Sequence, residues 1–252
     1  MSACVAIDIG NTSVTVARVQ GRRATRVRRL PTAVRDGQTV ESLLRDVLGG
    51  REAAGAVVGS VVPAATRRWT RAARRVLGVP PVVVDHRCRL GVGIDYPEPA
   101  SIGADRLANA CGARLLYGAP VVVADFGTAL TFDIVDKEGR YLGGVICPGL
   151  PLMIDYLVDR TALLPRIRLP GAVGRVGRST AGAMRIGAQV GYRGIVREVV
   201  DHVRRQPGMS GAALCATGGH AGWVLKGLAL PFRFAPALTL IGLGVIYDLN
   251  HA

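Results

Sequence analysis

At 252 residues, the chain has room for one large domain or two modest ones, and either can bury an ordinary core. Its net charge of +14 invites a nucleic-acid reading, but Lys137 and Lys226 are the only lysines among 32 basic residues. The excess therefore reads as an arginine bias; with no aromatic stacking motif beside the charge, nucleic-acid binding is not expected, although so basic a surface attracts acidic ligands such as nucleotides. No apolar run reaches bilayer length, and Met1-Ser2-Ala3-Cys4-Val5 runs into a strand without a signal-peptide pattern, so no membrane association and a cytoplasmic location are expected.

In chain order the sequence predicts strands over 3–9, 13–19 and 25–32, then a helix over 39–48 whose Val40, Leu43, Leu44 and Val47 share a face. A strand at 55–60, a helix at 64–77 carrying Arg67, Arg68, Arg71, Arg74 and Arg75, and a strand at 82–84 follow. A Gly/Pro-rich loop over 91–102 leads into a helix at 103–116. The second half restarts with strands at 120–125, 129–135 and 141–147, a Pro-Gly loop at 148–151, and helices at 152–158 and 178–205. It ends with a strand at 212–216, a Gly-Gly turn into a helix at 219–227, and a helix at 237–250. Three hairpin-joined strands followed by alternating helices and strands, given twice, point to a mixed α/β sheet in each half.

The repetition is visible in the residues. Ala6-Ile7-Asp8-Ile9-Gly10-Asn11-Thr12 matches Val123-Ala124-Asp125-Phe126-Gly127-Thr128 to within one residue, and each phrase is followed by alternating β-favouring side chains. Each reads as strand, tight turn and return strand. Gly10 lets backbone N–H groups turn toward anionic oxygens, Asn11 and Thr12 add side-chain donors, and Asp8 can hold Mg²⁺ through water. One such turn by itself reads as an ordinary Asx-type hairpin; two with the same flanks favour a pair of phosphate cradles. The P-loop, Rossmann, protein-kinase and G-x-S-x-G signatures are absent, so phosphate handling here falls to backbone amides, hydroxyls and aspartate. Cys4, Cys88, Cys111, Cys147 and Cys215 are scattered, odd in number and without a C-x-x-C pair, and His86, His202, His220 and His251 lack ligand spacing; neither disulfides nor zinc are expected.

The paired hairpins resemble the phosphate motifs of the acetate kinase, sugar kinase, Hsp70 and actin superfamily. The ordered set "DIGNT", "IDYPEPASIGADRLANA", "VVADFGTALTFDIVD", "YLGGVICPGLPL", "LPRI", "STAGAMRIGAQVGY" and "ATGGHA" resembles the type III pantothenate kinases over essentially the whole chain. That resemblance implies two duplicated actin-like (ribonuclease H-like) domains, residues 1–117 and 118–252, each a mixed five-stranded sheet flanked by helices. It implies ATP-dependent phosphorylation of pantothenate to 4'-phosphopantothenate, the first step of coenzyme A biosynthesis, by a homodimer.

The resemblance also implies roles. Asp105 becomes the general base that takes the proton from pantothenate's primary hydroxyl; without it, Gly103-Ala104-Asp105-Arg106 reads as a plain helix start with Asp favourable to the dipole. Tyr96, Gly103, Ala104, Arg106 and Thr180 become substrate contacts, with Ser179 the better candidate for a helix cap. Asp8, Ile9, Gly10, Asn11, Thr12 and Thr128 hold the phosphates of ATP with Mg²⁺ on Asp8; Asp125 holds K⁺ or NH₄⁺, and Gly218 and Gly219 let the adenosine lie close. Ala235 and Ile241 stand where relatives usually carry acidic residues, and Cys147 where a small residue is usual. A catalytically inactive accessory protein with a working arginine surface is the alternative; Asp8, Asp105 and Asp125, all intact, argue against it.

Overall fold

The computed structural model describes residues 2–169, 171 and 173–251. β1 (Cys4–Ile9) is buried on both faces except at Asp8, as a central strand must be, and β2 (Ser13–Gln20) returns antiparallel to it from Val14 opposite Ile9. β3 (Arg23–Pro31) pairs antiparallel with β2 as the outer strand, its register shifting between Val16 and Arg18. α1 (Gly37–Leu48) starts where the Asp36 carboxylate accepts from the Gln38 and Thr39 amides, and stops at Gly49 in the left-handed region. β4 (Ala56–Ser60) lies parallel to β1, α2 (Pro63–Leu77) follows, and β5 (Val82–Val83) pairs parallel with β4. The sheet order is β3-β2-β1-β4-β5. Val40, Leu44 and Val47 of α1, and Ala65, Trp69, Ala72 and Ala73 of α2, close a core over Val5, Ile7, Ile9, Val14, Val16 and Val58. That burial leaves Arg67, Arg71, Arg74 and Arg75 of α2 exposed, while Arg68 is half-buried and donates to the Val34 carbonyl.

β6 (Gly93–Ile94) and α3 (Ala104–Tyr117) precede a second set of strands: β7 (Val121–Phe126), β8 (Ala129–Val135) and β9 (Arg140–Pro148). Then come α4 (Leu150–Asp159), α5 (Thr180–Ile186), α6 (Tyr192–Arg204), β10 (Ala213–Thr217), α7 (Ala221–Leu225), β11 (Phe232–Phe234) and α8 (Leu238–His251). Five of these strands repeat the first order as β9-β8-β7-β10-β11, and β6 adds a sixth beside β9. The repeat extends to burial. β1 and β7 share one pattern, four buried residues, a half-buried aspartate and a buried residue, and β2 and β8 match position for position through seven residues.

The predicted strands and long helices are present, with three differences. The single helix expected over 178–205 is α5 and α6 joined by a π-helical turn at Gly187–Gly191, where glycine at both ends tolerates the wider winding. The helix expected over 219–227 shortens to α7. β6 and β11, at two and three residues, are too short to show a period of two in the sequence and gain their place from neighbouring strands.

The chain forms two compact units: residues 1–121, 133–143 and 237–252 make the first, and 122–132 and 144–236 the second. The expected boundary at 117/118 lies just before the first break, and the terminal helix α8 clusters with the first unit. α8 packs on α3 because small residues let the backbones approach: a Cβ on Gly242 would strike the Ala108 carbonyl, and one on Gly112 would sit 2.7 Å from the Leu238 oxygen. Thr239 donates to the buried Asn109 side chain at 2.8 Å across the same seam. On the sheet, Gly59 and Gly55 leave room for Leu243 and Tyr247 of α8. Among the described residues no helix is long and apolar enough to cross a membrane.

Gly242→Val is expected to lower stability by about 2–3 kcal/mol, the cost of overpacking where the opposing atom is backbone and cannot swing away. Urea unfolding checks this; an unchanged midpoint would mean α8 does not hold α3 through this seam.

Candidate functional site

In the first unit, the turn Gly10–Thr12 between β1 and β2 is held open by backbone and by Thr32. The Gly10 amide donates to Ser13 O at 3.1 Å, the Thr32 hydroxyl donates to Gly10 O at 2.7 Å, and the Thr32 amide donates to Thr12 O at 3.1 Å. Asn11 and Thr12 are exposed at the tip, and Asp8 is half-buried beneath them. The Val61 amide donates to Ile9 O, and Val61 Cγ1 lies 3.4 Å from where a Cβ on Gly103 would be, so the start of α3 neighbours this turn.

Gly103 opens α3 with extended backbone, and Asp105 and Arg106 occupy its first turn. Asp105 Oδ1 accepts from the Arg106 amide at 2.9 Å. Burial raises the Asp105 carboxyl above its ordinary value, and that amide and the Arg106 charge only partly offset the effect. Arg106 Nε donates to Asp133 Oδ1 at 2.7 Å, and Tyr141 donates its hydroxyl to the same oxygen at 3.1 Å. The guanidinium carbon stands 5.8 Å from the Tyr141 ring centroid, and Tyr96 meets Tyr141 edge-on at 6.3 Å. Gly143, at φ +118°, gives Tyr96 its space: a Cβ there would be 3.0 Å from the ring. Tyr96, Asp105 and Arg106 are thus gathered with two residues the motif reading did not select, Asp133 and Tyr141.

Asp133 is fully buried. Burial pushes its carboxyl up to about 7, with Asp105 adding to the rise and Arg106 and Tyr141 opposing it. Burial works hardest against the charge on Arg106, but Asp133, Tyr141 and Asp105 together outweigh it and the guanidinium binds its proton more tightly than usual. Burial and the Asp133 charge both raise the Tyr141 hydroxyl.

In the second unit, the Gly127 amide donates to Ala129 O at 3.1 Å, the counterpart of the Gly10 bond, with Asp125 half-buried and Thr128 exposed at the tip. Two glycines lie against this turn. A Cβ on Gly149 would strike the Thr128 and Gly127 carbonyls, and Gly218, at φ +91°, would put one 2.5 Å from Asp125 Oδ1. The His220 amide donates to Phe126 O at 3.1 Å, fastening the strand-to-helix turn of Gly218 and Gly219 to the hairpin. Thr180 is the exposed first residue of α5, and Ser179 is its cap, accepting from the Gly182 amide at 3.1 Å. Ala235 donates its amide to Ala216 O at 2.8 Å, tying it to β10, and Ile241 is buried within α8.

Side-chain-free backbone at two hairpin turns and hard oxygen donors at Asp8, Thr12, Asp125 and Thr128 suit phosphate, and suit a cation that keeps water or phosphate oxygens among its ligands. Among the described residues no three His, Cys, Asp or Glu side chains cluster to cage a metal alone.

The family profile of the type III pantothenate kinases matches residues 4–202. The chain belongs to the type III pantothenate kinases. The enzyme of that name from Akkermansia muciniphila is 45% identical over 207 residues, spanning 82% of this chain and 84% of the relative. That from Moorella thermoacetica is 36% identical over 253 residues, spanning 98% and 99%. The crystal structure of a ROK family glucokinase from Streptomyces griseus superposes with a TM-score of 0.53 at 14% identity, covering 98% of this chain and 99% of the other. The fold is that of the actin-like kinases, two mixed sheets flanked by helices.

Carboxyl titration by ¹³C NMR is expected to give midpoints above 3.8 for Asp105 and near 7 for Asp133. The folded chain holds these protons more tightly than the unfolded one, so the Asp133 contribution to stability is fullest below about 3.8 and is lost as pH rises toward 7. Midpoints at or below 3.8 would contradict the desolvated setting of both groups.

Proposed function

We propose that the protein transfers the γ-phosphoryl group of ATP to pantothenate, giving 4'-phosphopantothenate. The observation that carries the reading is the first turn of α3: a desolvated Asp105 beside a guanidinium paired with buried Asp133, next to the Gly10 turn. Phosphoryl transfer asks little covalent chemistry of a protein; it asks for positioned oxygens, neutralised charge and a base within reach of the acceptor hydroxyl. A raised carboxyl suits that last role, because a base with some affinity for a proton takes it more readily than an ordinary carboxylate.

Asp105 accepts the proton from the primary hydroxyl of pantothenate, and Arg106 and Tyr96, with the backbone of Gly103 and Ala104, hold the acceptor. Thr180, exposed at the start of α5, is retained as a further substrate contact. Asp8, Ile9, Gly10, Asn11, Thr12 and Thr128 present amides and hydroxyls to phosphate oxygens, with Mg²⁺ at Asp8 and K⁺ or NH₄⁺ at Asp125. Bound cations there supply positive charge to the phosphates, a service no lysine gives. The Gly218–Gly219 turn, whose backbone lies against the hairpin, takes the adenosine. A cytoplasmic location accords with the ATP and acceptor pools such an enzyme draws on.

We also propose a homodimer formed through the second unit. α4 is apolar along most of its length, yet Leu150 is its only buried residue, and Leu152 and Tyr156 stand exposed one turn apart. Ile146, Leu163, Val176 and Val190 of the same unit are also exposed, Leu163 at 88%. The inactive accessory reading gains no support from any particular residue here, since Asp8, Asp105 and Asp125 are all retained.

Purified protein with ATP and Mg²⁺ is expected to phosphorylate pantothenate faster in K⁺ than in Na⁺ buffer, and Asp105→Asn to lower kcat about a thousandfold, a typical loss for a missing general base. No product from folded protein under either cation would overturn the reading. In light scattering the protein is expected at twice its 26.5 kDa chain mass, and Leu152→Asp with Tyr156→Asp to give monomers; a wild-type monomer would refute the dimer.

A further inference from the structure

The sequence duplication assigns Asp133 an unexpected place. β2 and β8 share their burial pattern, and in that alignment Asp133 occupies the position of Ala17, a fully buried alanine in the first copy. The fold therefore accepts a small apolar side chain at this position, and a carboxylate there is costly. Its Oδ2 is among the few buried side-chain atoms of the described residues with no hydrogen-bond partner. A buried ion pair often stabilises no better than apolar residues of the same volume, so stability does not account for the exchange of alanine for aspartate.

What the carboxylate does have is a grip on two neighbours. Asp133 Oδ1 takes the Arg106 Nε at 2.7 Å and the Tyr141 hydroxyl at 3.1 Å; the guanidinium lies by the Tyr141 ring, and that ring meets Tyr96 edge-on. An arginine on the first turn of a helix has four side-chain torsions to fix; a contact at Nε and a ring beside the guanidinium restrict most of them. The charged and titratable residues that act on Asp133 are Asp105 and Arg106 of α3 and Tyr141 of β9, with Tyr96 beside Tyr141. The charge-assisted contact at Nε thus helps to set the orientation of the group proposed to meet the acceptor.

We propose that Asp133 is a positioning residue for substrate recognition: it fixes the Arg106 guanidinium beside Tyr141, and this determines how tightly the carboxylate-bearing acceptor is held. The inference rests on the reading of Arg106 as an acceptor contact. Asp133 itself touches neither substrate nor nucleotide in this scheme.

The test is a double-mutant cycle on the full-length protein. Asp133→Asn is expected to raise the KM for pantothenate about tenfold, within the range of couplings between contacting residues, while kcat and the KM for ATP change less than about threefold. In an Arg106→Met background the same substitution is expected to change the pantothenate KM no further. An unaltered KM, or an equal rise in both backgrounds, would overturn the proposal. Should Asp133→Asn fold poorly, the pair Asp133→Ala with Arg106→Met restores the apolar arrangement around Ala17; a wild-type pantothenate KM from that protein would likewise overturn it. Failure of the kinase reading itself shows separately, as a folded wild type that makes no product. In that case the ¹⁵N resonance of Arg106 Nε, assigned by its loss in Arg106→Lys, still decides: a slowly exchanging N–H that becomes fast in Asp133→Asn supports positioning, and one that is unchanged refutes it.

Discussion

The seam between α3 and α8 is the constraint on which the first unit depends. Two glycines, Gly112 and Gly242, let one helix backbone lie against the other, and any side chain at Gly242 would meet the Ala108 carbonyl rather than a movable group. That contact fixes the axis of α3, and the axis fixes its first turn, where Asp105 and Arg106 stand. Close packing transmits position in this way because a packed seam has few alternative arrangements. The position of that first turn is therefore held by residues near the middle of α3.

On that fixed turn the electrostatics are arranged by burial more than by partnership. Asp105 and Asp133 are both raised by desolvation, and Arg106 lies between them as a compensating charge. A surface pair at the same distance would be worth little after screening; here the pair lies away from water, where its charges are screened less. The two hairpin turns work differently. They present backbone amides and glycine-made space, and their charge comes from single aspartates at the ends of β1 and β7.

Much of this was legible in the chain. The recurrence of Asp-x-Gly after a buried apolar run revealed the duplication, because a central strand must be apolar on both faces and the turn that follows it must contain glycine. The helices α1 and α2 were readable from their apolar stripes, and Ser179 as a cap from the hydroxyl before Thr180. Asp133 was not legible: inside "TFDIV" an aspartate looks like the solvent-facing residue of an alternating strand. The duplication held the one usable signal, the alignment of Asp133 with Ala17, and it becomes informative only once burial shows that this position faces inward. Tyr141 and Thr32 were not legible either, since the pairing of Tyr141 with Asp133 depends on that aspartate facing inward and Thr32 reaches Gly10 from 22 residues away.

The sequence by itself determined the duplicated run of strands, the two glycine turns, the candidate aspartates and the family, because those depend on local pattern and on which residue types can occupy a turn or a central strand. Only the tertiary structure decided that α8 belongs with the first unit, that two- and three-residue segments become strands, and that Arg106 is paired with Asp133. Each of these depends on contacts between segments far apart in the chain, where packing and desolvation choose the partner and local propensity has no influence.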